Sequence, residues 1–408
     1  MAKHDVVVIG GGISGLTFAA EAARAGRRAL VLEAEPRLGG CLATHRDGSG
    51  FWLELGAHTC YNSYYGFTEV ADACGLRGEV VQRAKTHMRM LDGDRLVPGS
   101  NLGMLLRLFS WGELLAAAPR MLQAMAGRLP KDGHTVYSYY SRLVGRKNYG
   151  SVLGPMLSAV PSQSADAFPA SMLFKVRKVR RKEYPRSFTL RGGLQSFAEA
   201  LARQPGVTAV AGQAAAAVER AGDGFAVVTE VGERHEASVL ALATTPGAAA
   251  RLLRGADPEL AGQAARVKEA VVDSLGFAVR AEKVASLPVS TFLVPREDLF
   301  HSVVTRDPVP DATWRGFAFH FKPGLDRDRR IARAAALLRL APADLEGPAE
   351  RRTTLPSPVL GHEEVVREID RLTAGRRLCV AGNWFAGLSL EDCVERARSE
   401  WKRVAGLG

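Results

Sequence analysis

The first 33 residues carry the pattern that most limits how this chain can fold. Residues 6–9 form a continuous β-branched run of the kind found in a buried parallel strand. The run passes directly into residues 10–15, which have the form G-x-G-x-x-G, and then into a small-residue helix over 16–25. A second apolar strand over residues 29–32 ends in Glu33. This order predicts a βαβ unit at the start of a doubly wound sheet.

Each glycine of the turn has a distinct role if the unit binds a dinucleotide. Gly10 permits the tight turn, Gly12 lets the backbone approach a pyrophosphate, and Gly15 lets the helix pack closely on the strand. The amides at the helix N-terminus face the anion. Glu33, eighteen residues after Gly15, is placed to accept hydrogen bonds from ribose hydroxyls and to repel a 2′-phosphate. The alternative is that the glycines only end a strand.

The segment after Glu33 favours FAD over NAD. A second crossover helix is replaced by Arg37 and the pair Gly39 and Gly40, whose bare amides can approach more of the phosphate and the flavin edge. A strand over residues 51–55 then leads into a second close backbone approach at residues 56–59.

Two of these segments match motifs of a known family. Residues 38–44 match L-G-G-R-x-x-T, with Cys41 in place of the arginine. Residues 55–59 match L-G-P-H-[ST], with Ala57 in place of the proline. On these motifs the chain resembles the flavin amine-oxidase superfamily.

Further motifs extend the resemblance over nearly the whole chain. Residues 190–195 resemble R-G-G-[LM]-Q, and residues 239–246 resemble a hydrophobic strand followed by A-[TV]-P-P. Residues 381–393, about twenty positions after a Gly-His pair, are similar to G-N-x-x-x-G-[VIL]-x-x-x-D-C, the ending of protoporphyrinogen oxidases. Within the superfamily the chain looks most like these oxidases. It is shorter than typical members, and residues 352–356 lack a tryptophan common in that region.

The resemblance and the interruptions in the pattern imply an α/β fold with three parts. A discontinuous Rossmann-like domain would bind FAD non-covalently, a mixed sheet would bind the substrate, and a helical region would form a cap or face a membrane. The predicted FAD-binding domain comprises residues 1–85, 187–270 and 358–408, the substrate domain 86–98 and 271–357, and the helical cap 99–186.

The residues expected to contact FAD come from both ends of the chain. The last helix, with Ser389 as its N-cap, is expected to point its positive end at the flavin pyrimidine. Trp384 and Phe385 either line the substrate cavity or belong to the core. The predicted FAD contacts are Gly10, Gly12, Ile13, Ser14, Gly15, Glu33, Ala34, Arg37, Gly39, Gly40, Gly56, Ala57, His58, Ala215, Val218, Ala243, Gly382, Asn383, Gly387 and Leu388.

Candidate substrate contacts follow from the same resemblance. His58 and Thr59 lie where the family's backbone passes the flavin ring, and they are the catalytic candidates, although near-attack placement alone could suffice. His87 and Arg89 lie close to where protoporphyrinogen oxidases place an arginine that contacts a propionate. For His87, an ordinary strand-surface histidine is the alternative.

The net charge of +11 is concentrated in residues 175–186, where seven basic residues stand against one acid. Lys175 and Arg177 are expected to hold an anionic, largely apolar substrate at a channel mouth. The alternatives are a solvated basic face, or contact with acidic lipids beside the apolar residues 102–111. No recognised nucleic-acid module accompanies the charge, so nucleic acid is not an expected partner.

Composition fits one large folded protein. The chain has 408 residues, 47% of them hydrophobic, and no run of eighteen apolar residues. The first strand starts too early for a signal peptide, and five cysteines without C-x-x-C spacing predict reduced thiols and no metal site. A cytoplasmic protein, with peripheral membrane contact as an option, is expected.

Three functions remain open at this point. The first is an oxygen-dependent porphyrinogen oxidase that makes porphyrin and hydrogen peroxide, acting on protoporphyrinogen or coproporphyrinogen. The second is an amine oxidase or polyene desaturase on the same scaffold. The third is a flavoprotein isomerase without net redox turnover.

Overall fold

The computed structural model describes residues 2–99, 102–173, 175 and 177–407. It confirms the predicted α/β class, with two seven-stranded sheets, two smaller sheets and helices around them. The strands are β1 (Ala2–Ile9), β2 (Ala29–Glu33), β3 (Thr44–Arg46), β4 (Trp52–Glu54), β5 (Cys60–Tyr61), β6 (Val80–Gln82), β7 (His87–Asp92), β8 (Arg95–Leu96), β9 (Ser187–Leu190), β10 (Val207–Ala211), β11 (Ala215–Ala221), β12 (Gly224–Thr229), β13 (Arg234–Leu242), β14 (Glu269–Arg280), β15 (Ser290–Pro295), β16 (Phe300–Thr305), β17 (Trp314–Phe321), β18 (Glu346–Pro356) and β19 (Leu378–Val380).

Helices fill the connections between these strands. They are α1 (Ile13–Arg24), α2 (Tyr65–Ala73), α3 (Leu102–Leu108), α4 (Trp111–Met125), α5 (Val136–Val144), α6 (Arg146–Asn148), α7 (Gly154–Ala159), α8 (Gln195–Ala202), α9 (Pro246–Leu253), α10 (Pro258–Ala265), α11 (Arg327–Leu338), α12 (His362–Thr373) and α13 (Leu390–Ala405). A π-helical turn at Tyr149–Leu153 joins α6 to α7, and short 3-10 turns lie at Leu76–Glu79, Ala281–Val284 and Pro342–Asp344.

The first sheet has the strand order β10-β2-β1-β13-β12-β11, with β19 also paired to β13. The pairs among β10, β2, β1, β13 and β19 are parallel, whereas β11, β12 and β13 form an antiparallel edge. Successive β1 side chains pack into different cores because strand side chains alternate between faces. Val6 and Val8 join the core under α1 and α13, and Val7 and Ile9 join the core under α9, α10 and α12.

The second sheet has the order β18-β14-β17-β16-β15-β7-β8, mixed because β7 and β15 run parallel. One face carries phenylalanines such as Phe277 and Phe319, which pack with α11. The opposite face carries small residues, among them Gly276 and Ala318. A Cβ on Gly276 would lie 2.3 Å from the Leu55 side chain, so this face packs directly against the segment that follows β4.

We call helices α3–α7 the helical cap, because they lie within the region predicted as one, residues 99–186. Asn101, near the start of this region, lies outside the described residues. Met104 of α3 is fully buried against Met90 and Val294 of the second sheet. None of the helices in the described ranges has the length and apolar character needed to cross a bilayer.

The two large sheets draw on separate parts of the chain. The first takes strands from residues 2–33, 207–242 and 378–380, and the second from 87–96 and 269–356. Five strands of the region predicted to bind FAD lie outside the first sheet: β5, β6 and β9 form a three-stranded sheet, and β3 and β4 form a two-stranded sheet. The domain boundaries stay a prediction.

Candidate functional site

Residues 10–15 turn the chain from β1 into α1 at the carboxyl edge of the first sheet. Gly10 has φ +106°, and a Cβ there would lie 2.4 Å from the Ala243 carbonyl oxygen. A Cβ on Gly15 would lie 2.0 Å from the Gly10 carbonyl oxygen. Both positions therefore require glycine for steric reasons.

The amino end of α1 is left open to a ligand. Its N-cap residue, Gly12, makes no side-chain cap, and the first turn contains no acid. The amides of Ile13, Ser14 and Gly15 have no acceptors within the helix because they belong to its first turn. A Cβ on Gly12 would lie 3.7 Å from the Gly40 Cα, so the opening lies between the two glycine segments.

The Glu33 carboxylate lies at the end of β2 and binds the glycine turn. Its Oε2 accepts from the Gly11 amide at 2.6 Å, and its Oε1 accepts from the Glu35 amide at 2.8 Å. Burial raises the pKa of Glu33, although these backbone donors act in the opposite direction. Each oxygen keeps a further lone pair, so the carboxylate can still accept hydrogen bonds from a ribose.

The loop after β2 contains no helix, as predicted, and Arg37 stabilises it from within. The Arg37 guanidinium donates to the carbonyls of Leu38 at 3.1 Å, Leu42 at 3.0 Å and Gly40 at 2.7 Å. Arg351, from β18, also donates to the Gly40 carbonyl at 2.9 Å. Two cations therefore lie beside the glycine pair, and one of them comes from the second sheet.

The loop also fixes the segment that holds His58. The Cys41 carbonyl accepts from the Ala57 amide at 3.0 Å, and a Cβ on Gly56 would lie 2.2 Å from that same carbonyl oxygen. Burial raises the pKa of the Cys41 thiol to about 11. The cysteine at this position is therefore neutral, and it supplies no substitute for the charge of the family's arginine.

The C-terminal strand joins the same edge of the sheet. The Ala381 amide donates to the Leu242 carbonyl at 2.9 Å, which brings Gly382 beside the ends of β1 and β13. Gly382 has φ +149°, and a Cβ there would lie 2.7 Å from the Trp384 ring nitrogen. The two glycine-rich ends of the chain, predicted to meet, thus follow β1 and β19, the strands on either side of β13.

Trp384 and Phe385 belong to the core, which was one of the two placements that the sequence left open for them. Trp384 is fully buried, Phe385 is almost so, and both pack under the first sheet. The Trp384 indole donates to the Thr244 carbonyl at 3.1 Å, and its own carbonyl contacts the His362 imidazole at 2.5 Å. Their placement gives them a structural role, and it puts Asn383 between Gly382 and this aromatic pair.

Lys175 and Arg177 contact the start of α13. Both cationic groups bind the Asp392 carboxylate, Lys175 at 3.2 Å and Arg177 at 2.9 Å. Ser389 is the N-cap of α13, as predicted, and forms a capping box with Asp392. The first turn of α13 therefore already holds its own carboxylate partner, unlike that of α1.

The remaining predicted contacts are spread more widely. Ala215 and Val218 lie on β11 with their side chains in the core, and the nearby Gln213 amide donates to the Glu33 carbonyl at 2.7 Å. Leu388 packs with the helical cap, and the Gly387 position is crowded by Asp392. Ala34 follows Glu33 directly.

His87 and Arg89 lie on β7 of the second sheet. His87 is half-buried opposite Ser290, and the Arg89 guanidinium donates to the Gly99 carbonyl at 3.2 Å. The Arg89 Nε is buried without a hydrogen-bond partner. The charge of Arg89 is therefore held at the start of the helical cap.

A narrow cavity separates β4 and the His58 segment from the second sheet. Arg83 and Arg306 line it together with His58, Glu54 and apolar or small neighbours. The lining also includes Trp52, Leu53, Val304, Thr305, Val309, Gly316 and Ala318. Two arginine side chains thus line the same small cavity.

The ionisable groups of this cavity are strongly perturbed. Burial, then Arg83 and His320, lower the pKa of His58 to about 3, so its imidazole is neutral near pH 7. Arg83 is only 8% exposed and donates to the His58 carbonyl. Arg306 lies 4.6 Å from the ring centres of both Phe51 and Trp52, and its Nε is buried without a partner.

Sequence reasoning missed several residues of this site. Arg83 and Arg306 follow ordinary apolar runs, and no motif marks them. His320 contacts the Ser274 hydroxyl at 2.9 Å on the small-residue face of the second sheet, and burial lowers its pKa to about 4. A pairing between strands so far apart in the chain leaves no local signal.

The donor set of the first sheet fits the adenosine and pyrophosphate part of a dinucleotide. Open amides at the start of α1 suit phosphate oxygens, and Glu33 suits hydroxyl groups. A family profile described as flavin containing amine oxidoreductase matches residues 13–279, more than half of the chain. The chain belongs to this family. The resemblance found in its motifs is confirmed, and membership implies a flavin cofactor.

Similar proteins within and around this family differ in their chemistry. A 15-cis-phytoene desaturase of Narcissus pseudonarcissus is 27% identical over 157 residues, which are 34% of this chain and 28% of the desaturase. The chain therefore matches under a third of that relative.

Two solved structures share the fold over nearly the full chain. A candidate protoporphyrinogen oxidase from Exiguobacterium sp. 255-15 superposes with a TM-score of 0.79, covering 98% of both chains at 19% identity. A reduced UDP-galactopyranose mutase superposes with a TM-score of 0.75, covering 99% of this chain and 96% of the mutase at 16% identity. At these identities the likeness shows the fold alone.

Proposed function

We propose that this flavoprotein is an FAD-dependent oxidase that removes hydride equivalents from a porphyrinogen, either protoporphyrinogen or coproporphyrinogen. The proposed acceptor is oxygen, and the products are porphyrin and hydrogen peroxide. The observation that carries the substrate class is that two arginines, the buried Arg83 and the half-buried Arg306, line one cavity beside His58.

The first sheet supports FAD as the flavin, held without a covalent bond. The open first turn of α1 would bind the pyrophosphate, and Glu33 would accept from the ribose of the adenosine. When bound, FAD supplies the hydride acceptor for the oxidation. The Arg37 and Arg351 cations beside Gly40 add positive charge close to the same phosphates.

The cavity between the sheets supports a substrate with carboxylates on an apolar body. An arginine fork binds a carboxylate through two parallel hydrogen bonds, and burial strengthens that pairing. A porphyrinogen carries propionates on an apolar macrocycle. One propionate would bind Arg83 and Arg306 at the mouth of this cavity, whose volume of about 20 Å³ leaves no room for the macrocycle itself.

The positive charges of Arg83 and Arg306 also make a polyene or an amine a less suitable substrate on this scaffold. A polyene would desolvate the cavity without bringing a carboxylate to its two guanidinium groups, for which the lining offers only Glu54, whose pKa burial raises to about 7. A protonated amine would be repelled by them. The likeness to a phytoene desaturase keeps the polyene as the second candidate, to be tested beside the porphyrinogens.

The chain's own contribution to the reaction is placement and exclusion of water. His58 is neutral, so it adds no positive charge beside the arginines, and its ring nitrogens can orient a substrate N–H group. Near-attack placement of the substrate in a dry site can supply much of the rate without a dedicated acid or base.

Anaerobic mixing of the FAD-loaded protein with each porphyrinogen tests the proposal. With the protein in excess, we expect flavin bleaching followed by porphyrin fluorescence, because a porphyrinogen loses three pairs of electrons and each flavin accepts only one pair. Oxygen, once admitted, should reoxidise the flavin and give hydrogen peroxide. Arg83→Gln and Arg306→Gln should each raise KM by about tenfold or more, because each removes a charge-assisted pair. Arg28→Gln is the matched control, since its side chain is 77% exposed.

Flavin that stays oxidised with both porphyrinogens would contradict the proposal. Bleaching by phytoene in vesicles would then support the desaturase, and bleaching by putrescine would support an amine oxidase. Normal flavin content and melting temperature of each variant would show that a kinetic change does not come from misfolding.

A further inference from the structure

A row of polar side chains crosses the small-residue face of the second sheet. Ser274 lies opposite Arg351 on one side and opposite His320 on the other, and His320 lies opposite Ser302. Residues directly opposite each other in antiparallel strands point to the same face of a sheet. The row therefore spans β18, β14, β17 and β16, and it consists of one cation, two hydroxyl groups and one imidazole.

The row lies at the end of an apolar contact. Ala318, on the same strand and the same face as His320, belongs to one core with Leu53 and Leu55. His320 comes two positions after Ala318, and side chains two positions apart on a strand are neighbours on one face. Polar groups buried at such a place need partners, either one another or a ligand.

Two contacts place the row beside segments that were predicted to bind FAD. Arg351 donates to the Gly40 carbonyl at 2.9 Å, and Gly40 borders the opening at the start of α1. His320 lies close enough to His58 to help lower its pKa. The row therefore reaches both the glycine pair and the His58 segment.

The His320 imidazole is only 4% exposed, yet one of its two nitrogens has no partner in the protein. Its Nδ1 lies 2.9 Å from the Ser274 hydroxyl, whereas none of the described residues forms a hydrogen bond with its Nε2. In addition, the Ser302 hydroxyl beside it is buried without a partner. Because buried polar groups are normally hydrogen-bonded, these two atoms indicate a bound molecule.

The imidazole is also in the state that accepts a proton. Burial, then His301, lower the pKa of His320 to about 4, so the ring is neutral near pH 7. The Ser274 hydroxyl can accept the hydrogen of Nδ1, which leaves the lone pair of the neutral ring on Nε2. A neutral imidazole in this tautomer can act as a general base.

Oxidation of a porphyrinogen releases a proton as well as a hydride. The hydride leaves a carbon between two pyrrole rings with the electron pair of its C–H bond, and a pyrrole N–H then loses its proton. Arg83 and Arg306 cannot take this proton because guanidinium groups stay protonated. His58 is less suited than His320, since Arg83 also disfavours a proton on its ring.

We propose that His320 is the proton acceptor of the oxidation and that Ser274 is the positioning residue that holds its tautomer. The C–H bond breaks and its electron pair goes with the hydride to FAD. The N–H bond breaks towards the Nε2 of His320, and the electron pair of that bond completes the new double bond of the substrate. The imidazolium then passes the proton to water, and formation of hydrogen peroxide consumes one. The substrate of this step rests on the proposed function.

Stopped-flow reduction of the bound flavin by porphyrinogen, without oxygen, tests the role. At saturating substrate the rate constant should fall about a hundredfold or more in H320Q, while the substrate concentration that gives half the maximal rate should change less than about twofold. S274A should lose roughly tenfold, because the ring loses the partner of its Nδ1. Imidazole added to H320A should recover at least about tenfold of the lost rate, because it restores a proton acceptor.

His134 of the helical cap provides the matched control. Its ring contacts the Arg142 guanidinium at 3.4 Å, so H134Q and H134A change a histidine remote in sequence from the row and should keep the wild-type rate, with no effect of imidazole. Flavin content and melting temperature of each variant serve as the folding check.

A second measurement needs no substrate. H320A leaves a space of about the size of an imidazole ring. Imidazole titrated into the FAD-loaded variant should fill that space and shift the visible absorption of the flavin. The same titration of the wild type and of H134A should leave the spectrum unchanged.

Equal rate constants for the wild type and H320Q would overturn the proposal, and so would an unchanged flavin spectrum when imidazole is added to H320A. A loss of rate in H58Q with a normal rate in H320Q would assign the proton to His58 instead. If neither porphyrinogen reduces the wild-type flavin, the proposed function fails, whereas the spectrum of H320A still decides whether His320 lies at the flavin. The rate comparison then passes to phytoene or putrescine, whichever reduces the flavin.

Discussion

The guanidinium of Arg177 and the carboxylate of Asp392 are joined at 2.9 Å across 215 residues of sequence. Asp392 also accepts from the Ser389 hydroxyl at 2.6 Å, so one carboxylate completes the cap of α13 and binds the segment that leads out of the helical cap. Burial opposes ionisation of Asp392, but the Ser389 hydroxyl, Lys175 and Arg177 hold its pKa below the usual range.

Asp392→Asn should destabilise the protein by about 2–4 kcal/mol near pH 7, because it leaves two cations unpaired and weakens a helix cap. Because the pKa of Asp392 is lower in the folded state, its carboxylate stabilises the protein at pH values above its pKa in the unfolded chain, near 3.8. This stabilisation is lost as the pH falls through the pKa of Asp392 in the folded state. Urea unfolding of wild type and variant at neutral and acidic pH measures both effects. Asp223→Asn, at an exposed turn, should change little, and an equal cost of the two substitutions would contradict the assignment.

Two glycines of the first turn should respond differently to alanine. Gly10→Ala places a Cβ 2.4 Å from a backbone oxygen at φ +106°, so it should cost the apoprotein about 2–4 kcal/mol. Gly12→Ala meets nothing nearer than 3.7 Å and should change apoprotein stability by less than about 1 kcal/mol.

The Gly12→Ala protein should nevertheless bind FAD at least about tenfold more weakly, because its new methyl group lies in the opening next to the first turn of α1. Thermal unfolding of both apoproteins and flavin titration of the Gly12 variant separate the two effects. Wild-type affinity in that variant would place the pyrophosphate elsewhere.

Local patterns predicted the parts of the site that lie close together in sequence. The βαβ unit, the loop at Arg37 and the Ser389 cap each depend on residues within a few turns of one another. Apolar residues at alternate positions, such as Phe317 and Phe319, are also a local pattern, and it indicates a strand there.

Local patterns could not predict the contacts between segments that lie far apart in the sequence. Arg351 reaches Gly40 across 311 residues, and Arg83 and Arg306 line one cavity although 223 positions separate them in the sequence. Likewise, Lys175 belongs to a basic run that resembles a solvated or ligand-binding face, and only the fold shows its partner, Asp392. Charge in a sequence predicts that a partner exists, but the fold decides which partner it is.

Glu33→Gln should weaken FAD binding by about tenfold to a hundredfold. The variant keeps an acceptor for the Gly11 amide but loses the charge that strengthens a hydrogen bond to a ribose hydroxyl. Quenching of flavin fluorescence during titration of the apoprotein measures the affinity. Glu35→Gln is the control, because the Glu35 carboxylate contacts Arg351 at 3.4 Å on the exposed side of the loop. A larger loss for Glu35→Gln would show that the ribose lies nearer to that residue.

Glu54 should make the stability of the protein fall as pH rises from about 4.5 to about 7. Its carboxylate is 6% exposed and accepts from the Leu194 amide at 2.6 Å and the Thr44 hydroxyl at 2.8 Å, while burial raises its pKa to about 7. The folded state therefore holds a proton that the unfolded chain releases above its own value, near 4.5. Protonated Glu54 therefore contributes its full stabilisation at pH values below its pKa in the unfolded chain. As the pH rises from there towards 7, this stabilisation falls by at most about 1.4 kcal/mol per pH unit.

Glu54→Gln has no proton to release, so its unfolding free energy should lack this component. Between pH 5 and about pH 7 the wild type should lose stability relative to the variant. Above about pH 7 the difference in unfolding free energy between the two proteins should stay constant. Urea unfolding across this range, with Glu230→Gln as an exposed control, measures the difference. Parallel pH profiles for Glu54→Gln and wild type would mean that Glu54 is ionised in the folded protein throughout the range. Arg83, on the same cavity, would then be its counter-ion and less available to a substrate carboxylate.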